Sequence, residues 1–199
     1  MKAAPALLAA TLASLAAACA CAATLDVAVA GANGLPLANA VVFLESAAAA
    51  TALKTAKPHE IAQEAKQFLP RVSVVSVGTQ VQFPNRDTVR HHVYSFSPAK
   101  SFELKLYTGT QASPIAFDQP GIVVLGCNIH DAMVAWGVVV PTPYHAITGA
   151  DGRARIEAPA GNYSLRSWHN GLPLQTQPLN LPVQVPAAGG SASARLPVP

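Results

Sequence analysis

The chain of 199 residues reads as an all-β protein built as a sandwich, and three observations carry that reading. Short apolar–polar alternations recur along it, as in Leu25, Val27, Val29 and again in Thr79, Val81, Phe83. That period of two belongs to strands with one buried face. The 17 prolines and 13 glycines are scattered, so the segments between turns are short and regularly spaced. Hydrophobic residues make up 51% and charged residues 12%, which is enough apolar material for a real core and argues against a disordered chain. The length fits one domain or two small ones. The net charge is +3 and no run of Lys or Arg occurs, so the clustered positive surface of a nucleic-acid binder is missing.

The first segment reads as an export signal. Lys2 precedes an Ala/Leu stretch from Ala3 to Ala18, and Cys19-Ala20-Cys21-Ala22 supplies the small residues of a cleavage site after Ala22. The apolar stretch is shorter than the roughly 20 residues of a membrane span. Lipid attachment at Cys19 or Cys21 is the competing reading, weakened because Ala16 and Ala18 stand where a Leu is usual.

Strands follow. Leu25 to Val29 alternates, Gly31-Ala32-Asn33-Gly34 turns, and Val41 to Leu44 is a second, well-buried strand. Ala47 to Lys57 reads as a flexible connection whose letters would also suit a helical turn, and Ile61 to Phe68 is ambiguous between a short helix and an irregular strand. Val72 to Val77, Thr79 to Phe83 and Val89 to Phe96 are strands, broken at Gly78, Pro84-Asn85 and Pro98. Phe102 to Leu106, Ile115 to Phe117, Ile122 to Leu125 and Val134 to Val140 continue the pattern. Two more follow, Arg153 to Ala158 and Tyr163 to Ser167, joined by Pro159-Ala160-Gly161. Phe83 and Trp136 read as core, His59 and His145 as surface residues, and His169 as a structural partner beside Trp168.

With residues 1–22 removed, Cys127 is the one cysteine left. It opens Cys127-Asn128-Ile129-His130-Asp131-Ala132-Met133, a loop between two apolar strands with Cys, His and Met three residues apart. Taken singly, each has a plainer reading: a buried thiol, a surface imidazole, a core-filling thioether. Together, a thiolate, an imidazole and a thioether on one loop point to copper, and two histidines, one cysteine and a weak axial methionine make a type 1 copper site. Arg90-His91-His92-Val93 supplies the second histidine. Zinc also takes Cys and His but has little use for a thioether. A nucleophilic Cys–His pair has no Gly-rich oxyanion motif beside it.

From about Phe68 to Val140 the residues resemble a cupredoxin, the plastocyanin and amicyanin type of blue copper protein. The matching pieces are Val77-Gly78-Thr79-x-Val81-x-Phe83-x-Asn85, His91-x-Val93, Phe117-x-x-x-Gly121 and Cys127-x-x-His130-x-x-Met133. Within that family, Cys-Asn-Ile-His-x-x-Met followed by Thr142-Pro143-Tyr144 resembles the plastocyanin-like proteins named for methylamine utilization. The resemblance implies a Greek-key β-sandwich, one copper ion shuttling between Cu(I) and Cu(II), and the ligands His91, Cys127, His130 and Met133. His92 stands where an Asn usually ties the two ligand loops together, and it competes with His91 for the ligand role. Asn128 and Asp131 are candidates to bond the ligand groups. His130 would be the electron port, with Ile129, Ala132 and Pro98 as an apolar rim.

Leu25 to Leu44 and the closing Thr148-x-x-Asp151-Gly152 with Pro159-Ala160-Gly161-x-Tyr163-x-Leu165 resemble a carboxypeptidase-regulatory or prealbumin-like sandwich. The implied layout is a signal peptide over 1–22, a first sandwich part over 23–56, the cupredoxin domain over 57–141 as an insertion, the second sandwich part over 142–185 and a flexible tail over 186–199; a single decorated sandwich is the alternative. The expected function is single-electron shuttling in the periplasm to a redox protein or dehydrogenase, without catalysis, nucleic acid or a membrane span. A copper carrier or store is the alternative, and a metal-free sandwich for adhesion or sugar binding is the third reading.

Overall fold

The computed structural model describes residues 22–54, 56–110, 113–173 and 176–199. The expected export segment and the cysteines at 19 and 21 lie outside the described residues, apart from Ala22, which opens the first strand. Strands dominate, and the protein is an all-β sandwich protein with two hydrophobic cores.

The first core lies between two sheets. One has the order β14 (Arg153–Pro159), β1 (Ala22–Ala30), β17 (Gly190–Arg195). The other runs β13 (His145–Ile147), β2 (Val41–Glu45), β15 (Gly161–Trp168), β16 (Leu179–Val185). Strands from opposite ends of the chain therefore share one core: β1 pairs antiparallel with β14 and parallel with β17. The alternation read in Leu25, Val27 and Val29 points those residues inward against Leu44, Ile156 and Leu165.

The second core lies under a five-stranded sheet of order β6 (Val72–Ser76), β12 (Val134–Val140), β11 (Gly121–Gly126), β8 (His91–Ser97), β9 (Lys100–Tyr107). It is closed by a three-stranded sheet of β10 (Ile115–Phe117), β7 (Thr79–Gln82) and β3 (His59–Glu60). Phe68, Phe83, Phe117 and Leu125 fill the space between. The opposite face of the five-stranded sheet also finds partners: Val72, Val138 and Val140 belong to the first core. Burial on both faces explains why Val134 to Val140 is an unbroken apolar run.

Several expectations need correction. Of the two readings of Ala47 to Lys57, the helical turn holds for its start and the flexible connection does not, because the stretch begins with the helix α1 (Ala47–Thr51). Alanine is the best helix former, and the Ser46 hydroxyl accepts the Ala49 N–H at 3.0 Å as an N-cap. The ambiguous stretch before Phe68 is a hairpin of β4 (Ala62–Glu64) and β5 (Gln67–Leu69), turned by Ala65 and Lys66 at positive φ. Trp136 is only half-buried because it sits on the outer face of the five-stranded sheet, under the Arg71 guanidinium. His59 and His145 are not plain surface residues: both are partly buried, hydrogen-bonded to Ser73 and Ser76 respectively. Burial lowers both imidazoles, and His59 lowers His145 further.

The stretch expected as a flexible tail over 186–199 holds β17 instead. Its Gly/Ser/Ala composition disguised the alternation Ala192, Ala194, Leu196, Val198, which is turned toward the first core. Leu196 is 1% exposed and its N–H donates to the Ala30 carbonyl at 2.9 Å. Leu196→Ala is expected to cost about 2–5 kcal/mol in urea unfolding, the range for a buried leucine. A result within about 0.5 kcal/mol of zero, typical of exposed sites, would mean the tail is not packed.

Candidate metal centre

The chain delivers three donors to one end of the second core. Cys127 directly follows β11, His130 lies in the turn that leads to β12, and His91 opens β8 on the neighbouring strand. A ring nitrogen of each histidine and the Cys127 sulfur lie within 4.8 Å of one another. The two imidazole rings meet edge to face, with centroids 4.9 Å apart. His91 is fully buried, Cys127 is 3% exposed, and His130 is half-buried at the rim.

The loop from Cys127 to Met133 is compact because Met133 N–H donates to the His130 carbonyl at 2.9 Å. This turns the chain back into β12 and leaves Met133 1% exposed in the same core as Cys127. Before Cys127, Gly126 carries no side chain for a physical reason: a Cβ there would stand 2.6 Å from the Tyr94 ring. The Tyr94 ring thus covers the backbone next to the thiol.

His91 and His92 separate onto opposite faces of β8, as adjacent strand residues do. His92 turns outward and its Nε2 meets the Glu103 carboxylate at 2.8 Å, away from Cys127. His91 turns inward and its Nε2 meets the Asp87 carboxylate at 2.7 Å. That contact makes Nε2 the protonated donor and leaves Nδ1 as a lone pair. Among the described residues, the Nδ1 atoms of His91, His92 and His130 are buried with no hydrogen-bond partner. Buried polar atoms are nearly always paired. Of these three histidines, His91 and His130 converge with the Cys127 thiol, and unpartnered ring nitrogens there are what a bound cation would satisfy, so the residues fit a metal.

Asp87 is the member that sequence reasoning missed. Its carboxylate also accepts the backbone N–H groups of Ala65 at 2.7 Å and Lys66 at 2.9 Å, the left-handed turn of the β4–β5 hairpin. Burial by itself would raise this carboxyl, but the Lys66 N–H, His91 and the Ala65 N–H outweigh it and hold the group below its ordinary value. Asn85 secures the approach to it: its side-chain amide donates to the Val89 and Tyr107 carbonyls at 2.9 and 2.7 Å, and its oxygen accepts the Asp87 N–H. The one available signal was Asp87 standing four residues before His91 in a loop. The expected helpers Asn128 and Asp131 are both exposed, and their side chains form no hydrogen bond among the described residues. Ile129 is 48% exposed and Ala132 is exposed, both near His130. Pro98 is no part of that rim, because it lies in the turn beyond Ser97, at the end of β8 away from His91.

No family model and no curated protein matches the chain. Among solved structures, parts of it are similar to a copper-containing nitrite reductase from Thermus scotoductus SA-01, at 26% identity and a TM-score of 0.39. That likeness covers 42% of this chain but only 22% of the reductase, so the chain matches about a fifth of that protein. A purple cupredoxin from Nitrosopumilus maritimus is 21% identical, over 41% of this chain and 99% of its own, with a TM-score of 0.36. A reduced single-site mutant of amicyanin is 19% identical, over 50% of this chain and 98% of its own, with a TM-score of 0.39. These likenesses are partial, and the reading of the site rests on its own donors.

Asp87→Asn sets an amide N–H against backbone N–H groups and is expected to cost about 1–3 kcal/mol at pH 7. The folded-state carboxyl is depressed, so its stabilisation is full above the ordinary carboxylate range and is lost as the pH falls through the lowered value. Urea unfolding should therefore show the gap between the variant and the parent narrowing below about pH 4.

Proposed function

We propose that the protein is an exported type 1 copper protein that carries single electrons between redox partners and catalyses no reaction of its own. The observation that carries this is the convergence of a ring nitrogen of His91, a ring nitrogen of His130 and the Cys127 sulfur, on two histidines whose Nδ1 atoms are buried and unpartnered among the described residues. Two imidazoles, one thiolate and a neighbouring thioether form a soft donor set with a geometry that suits copper in both oxidation states. Bound copper would supply one-electron chemistry between Cu(I) and Cu(II).

The chain's own residues do the rest. Cys127 serves as the thiolate, and His91 and His130 as neutral imidazoles. Asp87 holds the proton on His91 Nε2, so Nδ1 stays a donor through any change of charge at the site. Met133, buried in the same core, is the weak fourth donor. The five-stranded sheet fixes Cys127 and His91 on paired neighbouring strands, so little has to move when charge arrives. His130, half-buried beside exposed Ile129, offers the route to a partner such as a periplasmic redox protein or dehydrogenase. In the accompanying domain division, residues 57–141 form the copper unit, set between the two parts of the other sandwich.

The copper-loaded protein should show an intense thiolate-to-copper visible band and a small copper hyperfine splitting in its electron paramagnetic resonance spectrum. Cys127→Ser should abolish the band. Met133→Gln should keep it and lower the reduction potential, because a harder oxygen donor favours Cu(II). Tight Cu(I) binding without the band would instead establish a carrier, and no bound copper would overturn the proposal.

A further inference from the structure

A cleft of about 820 Å³ opens where the outer face of the five-stranded sheet departs from the outer face of the β2–β15 sheet. Roughly 300–1,000 Å³ is the usual size of a small-molecule site. Tyr94, Phe96 and Trp136 line one wall, and Phe43, Arg166 and Trp168 the other. The strand register sets Arg166 directly opposite Phe43 on the neighbouring strand, so the guanidinium and the ring share one face. Tyr94 and Phe96 lie on one face of β8 with ring centroids 5.2 Å apart, and Phe96 is 77% exposed.

The polar group in this aromatic surround is incompletely satisfied. Arg166 Nε is buried and has no hydrogen-bond partner among the described residues. Its charge is paired loosely with Glu45, whose Oε2 is 3.7 Å from Nη1, an ion pair beyond hydrogen-bond reach. A guanidinium in this position is matched by a carboxylate, which it can hold through two parallel N–H bonds. Because Glu45 already stands beside Arg166, a ligand with more than one negative charge is disfavoured.

We infer that this cleft is a binding site for a flat aromatic monocarboxylate of one or two fused rings, its rings between the aromatic walls and its carboxylate on Arg166. The cleft opens on the face of the five-stranded sheet away from Cys127 and adjoins that site only at Tyr94, whose ring abuts Gly126, so binding in it does not require copper.

The chain's two tryptophans, Trp136 and Trp168, both line the cleft. Their indole N–H signals in the nuclear magnetic resonance spectrum of isotopically labelled, copper-free protein therefore report its occupancy directly. Titration with naphthalene-2-carboxylate should move both signals saturably, with a Kd of about 1 mM or tighter. The neutral naphthalene-2-carboxamide should bind about tenfold or more weakly, as should the carboxylate to Arg166→Gln. Phe96→Ala, which removes an exposed ring and leaves the cores intact, should weaken binding about threefold or more. No saturable shift of the indole signals overturns the site. Equal binding of carboxylate and carboxamide overturns the acid specificity, and this comparison stands even where Arg166→Gln fails to fold.

Discussion

Strands β6 and β12 of the five-stranded sheet are buried on both faces, and the rest of the molecule follows from that constraint. A sheet with two apolar faces needs a cover on each side. One cover is the three-stranded sheet with Phe83 and Phe117, which makes the core that ends in Cys127, His91 and His130. The other is the outer face of the sheet containing β2 and β15, which is itself why Val41 to Leu44 is buried at every position. The four layers stack because the two middle sheets share apolar surface. Where that shared surface runs out, beyond Val138 and Phe43, the aromatic cleft begins.

Much of this was legible in the residues, and the failures have physical causes. Strand alternation marked nearly every element, because period two survives in short segments when one face is buried. The Cys127-x-x-His130-x-x-Met133 spacing was legible because ligands on one loop must be close in sequence. His91 was harder to separate from His92. Opposite faces of β8 decide between them, and the pairing that sets which face is inward is long-range. Asp87 left almost no trace, since its partners Ala65, Lys66 and His91 are joined only by tertiary folding. The last strand escaped notice for a compositional reason: small residues pack closely against β1 and carry little hydropathy signal.

The candidate metal centre illustrates how a rigid site is assembled from weak local preferences. Ala65 and Lys66 adopt a left-handed turn that L-residues resist. The carboxylate that answers their N–H groups is the one that also answers His91. The hairpin and the imidazole therefore stabilise one another through a single side chain. Asn85 fixes the backbone on which that side chain is mounted, by bonds to the Val89 and Tyr107 carbonyls.

The parallel pairing of β1 with β17 has a temporal meaning. The Asp26–Arg155 contact in the adjoining ladder already spans 129 positions, and β17 lies further still along the chain. Contacts so distant in sequence close slowly, because the intervening chain must first be gathered. During synthesis β1 emerges before both of its neighbours and waits for them until residues 153–195 have followed. The five-stranded sheet, whose strands all lie between Val72 and Val140, suffers no such delay. A nascent molecule would thus hold a complete five-stranded sheet before the sheet around β1 could close.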